Sequence, residues 1–187
     1  MMESLVDYRT HAVPKDGADA AEYEDAAAVS VEHWPVCAAV ADGATESVFA
    51  RTWAQRLVRG LVEDGSTTAG AFREAVSNWQ EDWRAATSER TTDRPWYVAA
   101  KAAEGAFAAV LGLSFQPDGS WRAVAVGDCC LFHVRDGTLL QSWPVETADA
   151  FTNRPSLVPS QPNQDVPVPE AAAGSWAPND RFWLATD

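Results

Sequence analysis

An unbroken apolar run over residues 34–41 ends at Asp42-Gly43, and an apolar residue then recurs at every fourth position. The run predicts a strand that is buried on both faces. The spacing that follows predicts an amphipathic helix, for which Thr45 is a reasonable N-cap and Gly65 a reasonable end. The recurring apolar residues of this helix are Phe49, Trp53, Leu57 and Leu61.

A second helix follows Gly65, with apolar residues at spacings of four, three and four. These residues are Phe72, Val76, Trp79 and Trp83. Because the connection is short, the two helices are expected to pack as an antiparallel hairpin, and their tryptophans favour a core over a cofactor site. A third helix is predicted over 95–104, since Pro95 suits a first helical turn.

The remaining apolar runs predict strands, two pairs of which are joined by Asp118-Gly119 and Asp136-Gly137 turns. The segment 144–179 is rich in proline and is expected to be an irregular excursion. Strands, a helical block and more strands indicate an α+β fold of two antiparallel sheets with helices on the outer faces, in one domain over 1–187. The predicted strands are 4–13, 26–32, 34–41, 106–115, 121–127, 129–135 and 138–143.

The formal net charge of −13 argues against nucleic acid or an anionic membrane as a partner, because phosphates are bound by lysine and arginine patches. No run approaches the ~18 apolar residues that a membrane span needs. The odd cysteine count suggests a reducing compartment, so the cytoplasm is the expected location. Cys37, Cys129 and Cys130 all lie in apolar runs and are interpreted as buried structural thiols.

Asp42-Gly43 differs from the other four Asp-Gly pairs, which lie in polar or turn contexts. It joins a buried strand to a helix, where a glycine lets its carbonyl approach a ligand. Carboxylate and carbonyl oxygens suit Mg²⁺ or Mn²⁺, and a helix start favours phosphate. The alternative is a strand-to-helix turn with a capping aspartate.

Two further acids stand at strand ends. Glu24 and Asp25 open the predicted strand 26–32, and neighbouring strand residues point to opposite faces, so at most one enters a shared site directly. Asp25 and Asp42 on paired strands would be close, which is unfavourable unless cations neutralise them. Asp187 ends a third apolar run. The alternative is that these acids are solvated in loops.

Several segments occur in an order that resembles the metal-dependent protein phosphatase (PP2C) family over nearly the whole chain. The resemblance implies a central antiparallel β-sandwich flanked by helix pairs, the layered α-β-β-α arrangement of that family. The segments are Glu24-Asp25-Ala26, Ala41-Asp42-Gly43, Gly105-Ala106, Val126-Gly127-Asp128, the run from Leu131 to Gly137, and Leu184-Ala185-Thr186-Asp187.

The resemblance also implies a site for two Mg²⁺ or Mn²⁺ ions. It implies that Gly43 contributes its carbonyl, that Glu24 acts through water and that Asp128 helps to hold a weaker third ion. The implied activity is in-line attack of metal-activated water on phospho-Ser or phospho-Thr of a protein substrate, with Asp25 and Asp42 as catalytic residues. The implied carboxylate ligands are Asp25, Asp42 and Asp187.

The sequence departs from the family at three places. Ala44-Thr45-Glu46 replaces the usual His or Met-Gly-Gly after Asp-Gly, and 17–23 holds no basic residue for the phosphate. Lys15 or Arg9 would be the substitutes. The family continues after Ala-Thr-Asp with a helix pair and a last strand bearing another metal-binding aspartate. We therefore expect a truncated chain with an incomplete metal site and a partly uncovered sheet face.

Two alternatives to an active phosphatase follow. One is a catalytically impaired PP2C-like regulatory or binding module, which kept the fold but lost turnover. The other is an α+β domain whose acids are merely strand-end residues.

Overall fold

The computed structural model describes residues 6–13, 23–45, 49–91, 102–152 and 154–186. Within these ranges the chain is α+β, with two helices of more than three turns and two antiparallel sheets. The helices are α1 (Ala50–Asp64) and α2 (Ala69–Thr91). The strands are β1 (Ala26–Ser30), β2 (Val36–Gly43), β3 (Phe107–Phe115), β4 (Ser120–Val126), β5 (Cys130–Arg135), β6 (Thr138–Trp143), β7 (Val158–Pro159), β8 (Glu170–Ser175) and β9 (Arg181–Ala185).

The larger sheet has the strand order β1-β2-β3-β4-β8, and β7 pairs with the start of β3. The smaller sheet has the order β6-β5-β9. Every pairing is antiparallel. A short 3-10 helix (Ala148–Ala150) lies between β6 and β7. The α+β prediction with two antiparallel sheets is confirmed.

The apolar strands are buried on both faces, as their continuous apolar sequence predicts. In β3, Ala108 and Val110 pack toward the helices, whereas Leu111 and Leu113 pack into a second core between the sheets. Successive strand side chains point to opposite faces, so one strand serves both cores. The second core also takes Trp121 and, from the smaller sheet, other apolar side chains.

The helix pair covers the outer face of the larger sheet as an antiparallel hairpin. Gly60 of α1 lies against the ring of Trp79 of α2, so closely that a Cβ would not fit. Arg56 binds Asp82 across the same pair at 2.6 Å. The residues that gave the two helices their periodicity are buried in this core, apart from Phe49, which packs at its edge. Their interpretation as core is confirmed.

The first helix begins later than predicted. It starts at Ala50 after Phe49, whose backbone is left-handed with φ 67°, and Thr45 is not its N-cap. Before the helix, β2 stays paired to β3 through Gly43, and the amide of Ala44 donates to the carbonyl of Phe107 at 2.9 Å. Residues 46–48, where the first turn was expected, lie outside the described part of the chain. The end at Gly65 is confirmed, with φ 63°.

The predicted excursion over 144–179 is wrong in part, because it contains β7 and β8. The sequence of β8 is rich in alanine and glycine and has little strand propensity. It is nevertheless a strand, because β4 pairs with it along its whole length. Gly174 is also required there, since the indole of Trp121 lies where a Cβ would stand.

The segment around β7 is anchored to the core. The indole Nε1 of Trp53 donates to the carbonyl of Val158 at 2.8 Å, and Nε2 of Gln80 donates to that of Pro159 at 2.9 Å. The hydroxyl of Ser160 accepts the amide of Ala106 at 2.8 Å. These bonds fix the middle of the excursion beside the larger sheet.

Two other predictions have mixed outcomes. Residues 6–13, the described part of the predicted strand 4–13, form no strand. The predicted helix 95–104 lies largely outside the described residues, although 102–104 are helical. Among the described helices, none combines the length and apolarity that crossing a membrane requires.

Candidate functional site

Asp25 and Asp42 face each other at one end of the larger sheet. The β1–β2 register pairs Ala26 with Ala41, so its next step sets Asp25 opposite Asp42. Opposite residues of an antiparallel pair have Cβ atoms about 5 Å apart. Asp42 follows Val40 by two residues, and Val40 packs in the core between the sheets. Both acids therefore stand on the face that is directed toward the smaller sheet.

Two hydroxyl groups bind the carboxylate of Asp25. Thr186, directly after β9, donates its Oγ1 hydrogen to Oδ2 of Asp25 at 3.0 Å. Tyr23 forms a side-chain hydrogen bond with the same carboxylate. Burial raises the pKa of Tyr23, and the nearby charges of Asp25 and Asp42 add to this effect. A negatively charged site therefore lies between β1, β2 and the end of β9.

Gly43 continues the register and lies opposite Glu24. A Cβ on Gly43 would stand 3.0 Å from the carbonyl oxygen of Glu24 and 3.0 Å from the backbone carbon of Ala50. A larger residue would push the end of β2 away from β1 or from α1. The glycine thus keeps the backbone beside Asp42 tightly packed, while the side chains of Glu24 and Asp25 point to opposite faces.

Asp128 lies on the loop between β4 and β5, near the same acids. Its neighbour Cys129 is 1% exposed. Burial raises the pKa of the Cys129 thiol well above its ordinary value, and the charges of Asp42, Asp128 and, less strongly, Asp25 raise it further. A hydrogen bond with the Asp42 backbone acts in the opposite direction. Three carboxylates thus influence one buried thiol.

The structure does not place all the predicted ligands together. Among the residues that it describes, no three His, Cys, Asp or Glu side chains form a group that could hold a metal ion. Asp187 lies outside the described residues. Glu24, Asp25, Asp42, Gly43 and Asp128 are described, and their roles stay a prediction.

Sequence reasoning missed two contacts of this site. Tyr23 precedes Asp25 by two residues, a spacing that in an extended chain places both side chains on one face and is the signal for this contact. Thr186 belongs to the segment Leu184-Ala185-Thr186-Asp187, but the sequence assigns it no role of its own. The buried state of the three cysteines is confirmed, but the place of Cys129 beside the acids was not predicted.

Comparisons of the whole fold find similar solved structures. PppA, a key regulatory component of T6SS in Pseudomonas aeruginosa, is 18% identical with a TM-score of 0.54, over 87% of this chain and 69% of its own. The catalytic domain of serine/threonine protein phosphatase PstP, in complex with two manganese ions, is 18% identical with a TM-score of 0.56, over 90% and 72%. RsbX in complex with magnesium is 13% identical with a TM-score of 0.51, over 88% and 66%.

No family model matches the sequence, and no curated protein matches it either. The structural likeness establishes that the chain has the fold of PP2C-type serine/threonine phosphatases, as the resemblance in the sequence implied. It spans 69% and 72% of PppA and PstP, so the match covers most but not all of each of them.

Proposed function

We propose that the chain is a Mg²⁺- or Mn²⁺-dependent serine/threonine phosphoprotein phosphatase, and that residues 1–187 belong to one PP2C-like domain. The observation that carries the proposal is the register of β1 and β2, which sets Asp25 opposite Asp42 within a PP2C-like fold. A solved structure with that fold, PstP, is a serine/threonine protein phosphatase in complex with two manganese ions.

The residues present suit a hard divalent cation. Asp25 and Asp42 are like charges on facing positions, an arrangement that a bound cation stabilises. Carboxylate and carbonyl oxygens are the donors that Mg²⁺ and Mn²⁺ prefer. The proposed carboxylate ligands are Asp25, Asp42 and Asp187, with the carbonyl of Gly43, Glu24 through water, and Asp128 for a weaker third ion. Two such ions, when bound, would lower the pKa of a water and neutralise phosphoryl oxygens.

The protein contributes position and electrostatics to this chemistry. The formal net charge of −13 repels a phosphorylated substrate, so the site must gain positive charge before a phosphate can bind. The hydroxyl groups of Tyr23 and Thr186 hold one carboxylate in place. Cys129, on which the charges of the acids act, is buried in the core between the sheets.

The cysteines support a location for this activity. Cys37, Cys129 and Cys130 are buried free thiols. Such thiols suit a reducing compartment. We therefore propose that the protein acts in the cytoplasm, where it would serve in signalling by protein phosphorylation.

Hydrolysis of an aryl phosphate and of phospho-Ser and phospho-Thr peptides, with Mn²⁺ and with a chelator, tests the proposal. We expect Mn²⁺-dependent hydrolysis and a loss of at least about 100-fold in Asp42→Ala, because a ligand of the cations is removed. Asp118→Ala is the matched control, since Asp118 is an exposed acid of another Asp-Gly pair, in the turn between β3 and β4. Its rate should equal that of the wild-type protein.

Two outcomes would contradict the proposal that the protein is an active phosphatase. A protein that binds Mn²⁺ in titration calorimetry but hydrolyses none of the substrates would be the regulatory or binding module. A protein that binds no Mn²⁺ would leave the acids as strand-end residues with a structural role only.

A further inference from the structure

We propose that Thr186 is a positioning residue for Asp25, and that through this contact cation binding is coupled to the packing of the two sheets. The inference rests on the proposed function, because it concerns the same carboxylate. It adds Thr186 to the residues of the site, and it adds a coupling between cation binding and sheet packing that the proposed ligands alone do not imply.

The contact joins the two layers of the sandwich. Asp25 directly precedes β1, the edge strand of the larger sheet, and Thr186 directly follows β9, an edge strand of the smaller sheet. The two residues are 161 positions apart in sequence, and the Oγ1–Oδ2 distance is 3.0 Å. The hydrogen bond therefore fixes the end of one sheet against the end of the other.

The contact with Thr186 uses only part of the acceptor capacity of Asp25. An ionised carboxylate has two oxygens and about four acceptor positions. The hydroxyl of Thr186 occupies one of these positions on Oδ2, so acceptor positions of the carboxylate remain beyond this contact. Threonine is stiff about χ1, so its hydroxyl is held in place by the backbone of the strand end.

A second hydroxyl acts on the same group. Tyr23 precedes Asp25 by two residues, lies on the same face of the chain and forms a hydrogen bond with its carboxylate. Tyr23 is a neighbour of Asp25 in sequence, whereas Thr186 directly follows a strand of the other sheet. Only the loss of the Thr186 bond should therefore change the coupling between the sheets.

The test is the affinity for Mn²⁺, measured by titration calorimetry on the full chain. Thr186→Val removes the hydroxyl at nearly constant volume, and we expect Mn²⁺ to bind about 10-fold more weakly, the usual effect of losing such an outer partner. Thr186→Ser restores the hydroxyl and should bind Mn²⁺ within about twofold of the wild-type protein.

Thr67→Val is the matched control. The hydroxyl of Thr67 pairs with that of Ser114 at 2.6 Å, and both residues are buried. Ser114 lies opposite Cys37, at the far end of β2 from Asp42. Thr67→Val should therefore lower the Tm while the affinity for Mn²⁺ stays unchanged.

The outcomes separate the two proposals. Wild-type affinity in Thr186→Val, together with lost binding in Asp42→Ala, would overturn the role of Thr186 and leave the phosphatase proposal intact. A lower Tm in Thr186→Val without weaker binding would show that the contact is structural only, and would overturn it as well. No binding by the wild-type protein would defeat the proposed function itself. If Thr186→Val does not fold, Thr186→Ala gives the same comparison.

Discussion

A carboxylate lies between the two sheets at each end of the sandwich, and the two carboxylates have different partners. Asp180, in the turn between β8 and β9, accepts two hydrogen bonds from Arg135 at 2.7 and 2.8 Å and one from the amide of Ala177 at 2.9 Å. Nε2 of His133 lies 2.8 Å from Oδ2 of Asp180. With its side chain only 2% exposed, Asp180 has its charge compensated by the protein itself.

Asp25, at the other end, is bound by hydroxyl groups and faces a second acid. The donors on its carboxylate, Thr186 and Tyr23, carry no positive charge, and Asp42 adds a negative one. The guanidinium of Arg135 holds the pKa of Asp180 well below its usual range. One end is therefore a completed ion pair, whereas at the other end two acids face each other, as the proposed cation site requires.

The largest expected effect on stability is at the completed end. Asp180→Ala should lower the free energy of unfolding by about 3 kcal/mol, because it leaves Arg135 and the buried His133 without their partner. Asp82→Ala is the matched control, because Asp82 also binds an arginine, Arg56, but is 59% exposed. It should cost less than about 1 kcal/mol. Urea unfolding measures both, and equal losses would contradict the distinction.

The dependence of stability on pH tests the ion pair of Asp180 in a second way. Because the hydrogen bonds and charge of Arg135 lower the pKa of folded Asp180, its stabilising contribution is present above the unfolded value of about 3.9. The contribution is lost as the pH falls from there toward the folded pKa. We expect Asp180→Asn to lose less stability than the wild-type protein between about pH 5 and pH 2 in urea unfolding. Parallel curves for the two proteins would argue against this.

The smallest expected effect is at the acid end and has the opposite sign. In a chelator, Asp42→Asn should raise the free energy of unfolding by up to about 1 kcal/mol, because repulsion from Asp25 is relieved. Mn²⁺ should raise the Tm of the wild-type protein but not that of the variant. Thermal unfolding with and without Mn²⁺ measures both effects. A variant that is less stable in chelator would show that Asp42 is already balanced within the protein.

Much of the fold could be predicted from the sequence, namely the elements whose apolar residues recur with a single clear period. The helix pair followed from the spacing of its aromatic residues, and the glycine turns of the hairpins were confirmed, with φ 86° at Gly119 and φ 77° at Gly137. The prediction failed where tertiary pairing overrode local preference. The β8 strand results from pairing with β4, which is distant in sequence.

The candidate site was predictable only in part. That Asp25 and Asp42 lie opposite each other could be predicted, because they belong to two strands that are neighbours in sequence. The contact of Thr186 with Asp25 could not be foreseen, because it depends on how β9 lies across the other sheet. The same holds for Asp180, whose partners are 45 and 47 positions away. Such contacts are set by sheet packing, which no local pattern records.

The segment around β7 is anchored, and it divides the long connection between β6 and β8 into two parts. These parts differ in how well they should tolerate inserted residues. Residues 146–152 are exposed, and insertion of residues there would cost little, since each doubling of a loop's length costs about 0.6 kcal/mol. Val158 and Ser160 could not be displaced without breaking buried hydrogen bonds to Trp53 and Ala106. We therefore expect insertions in this connection to be tolerated in its first half, where they leave both cores unchanged.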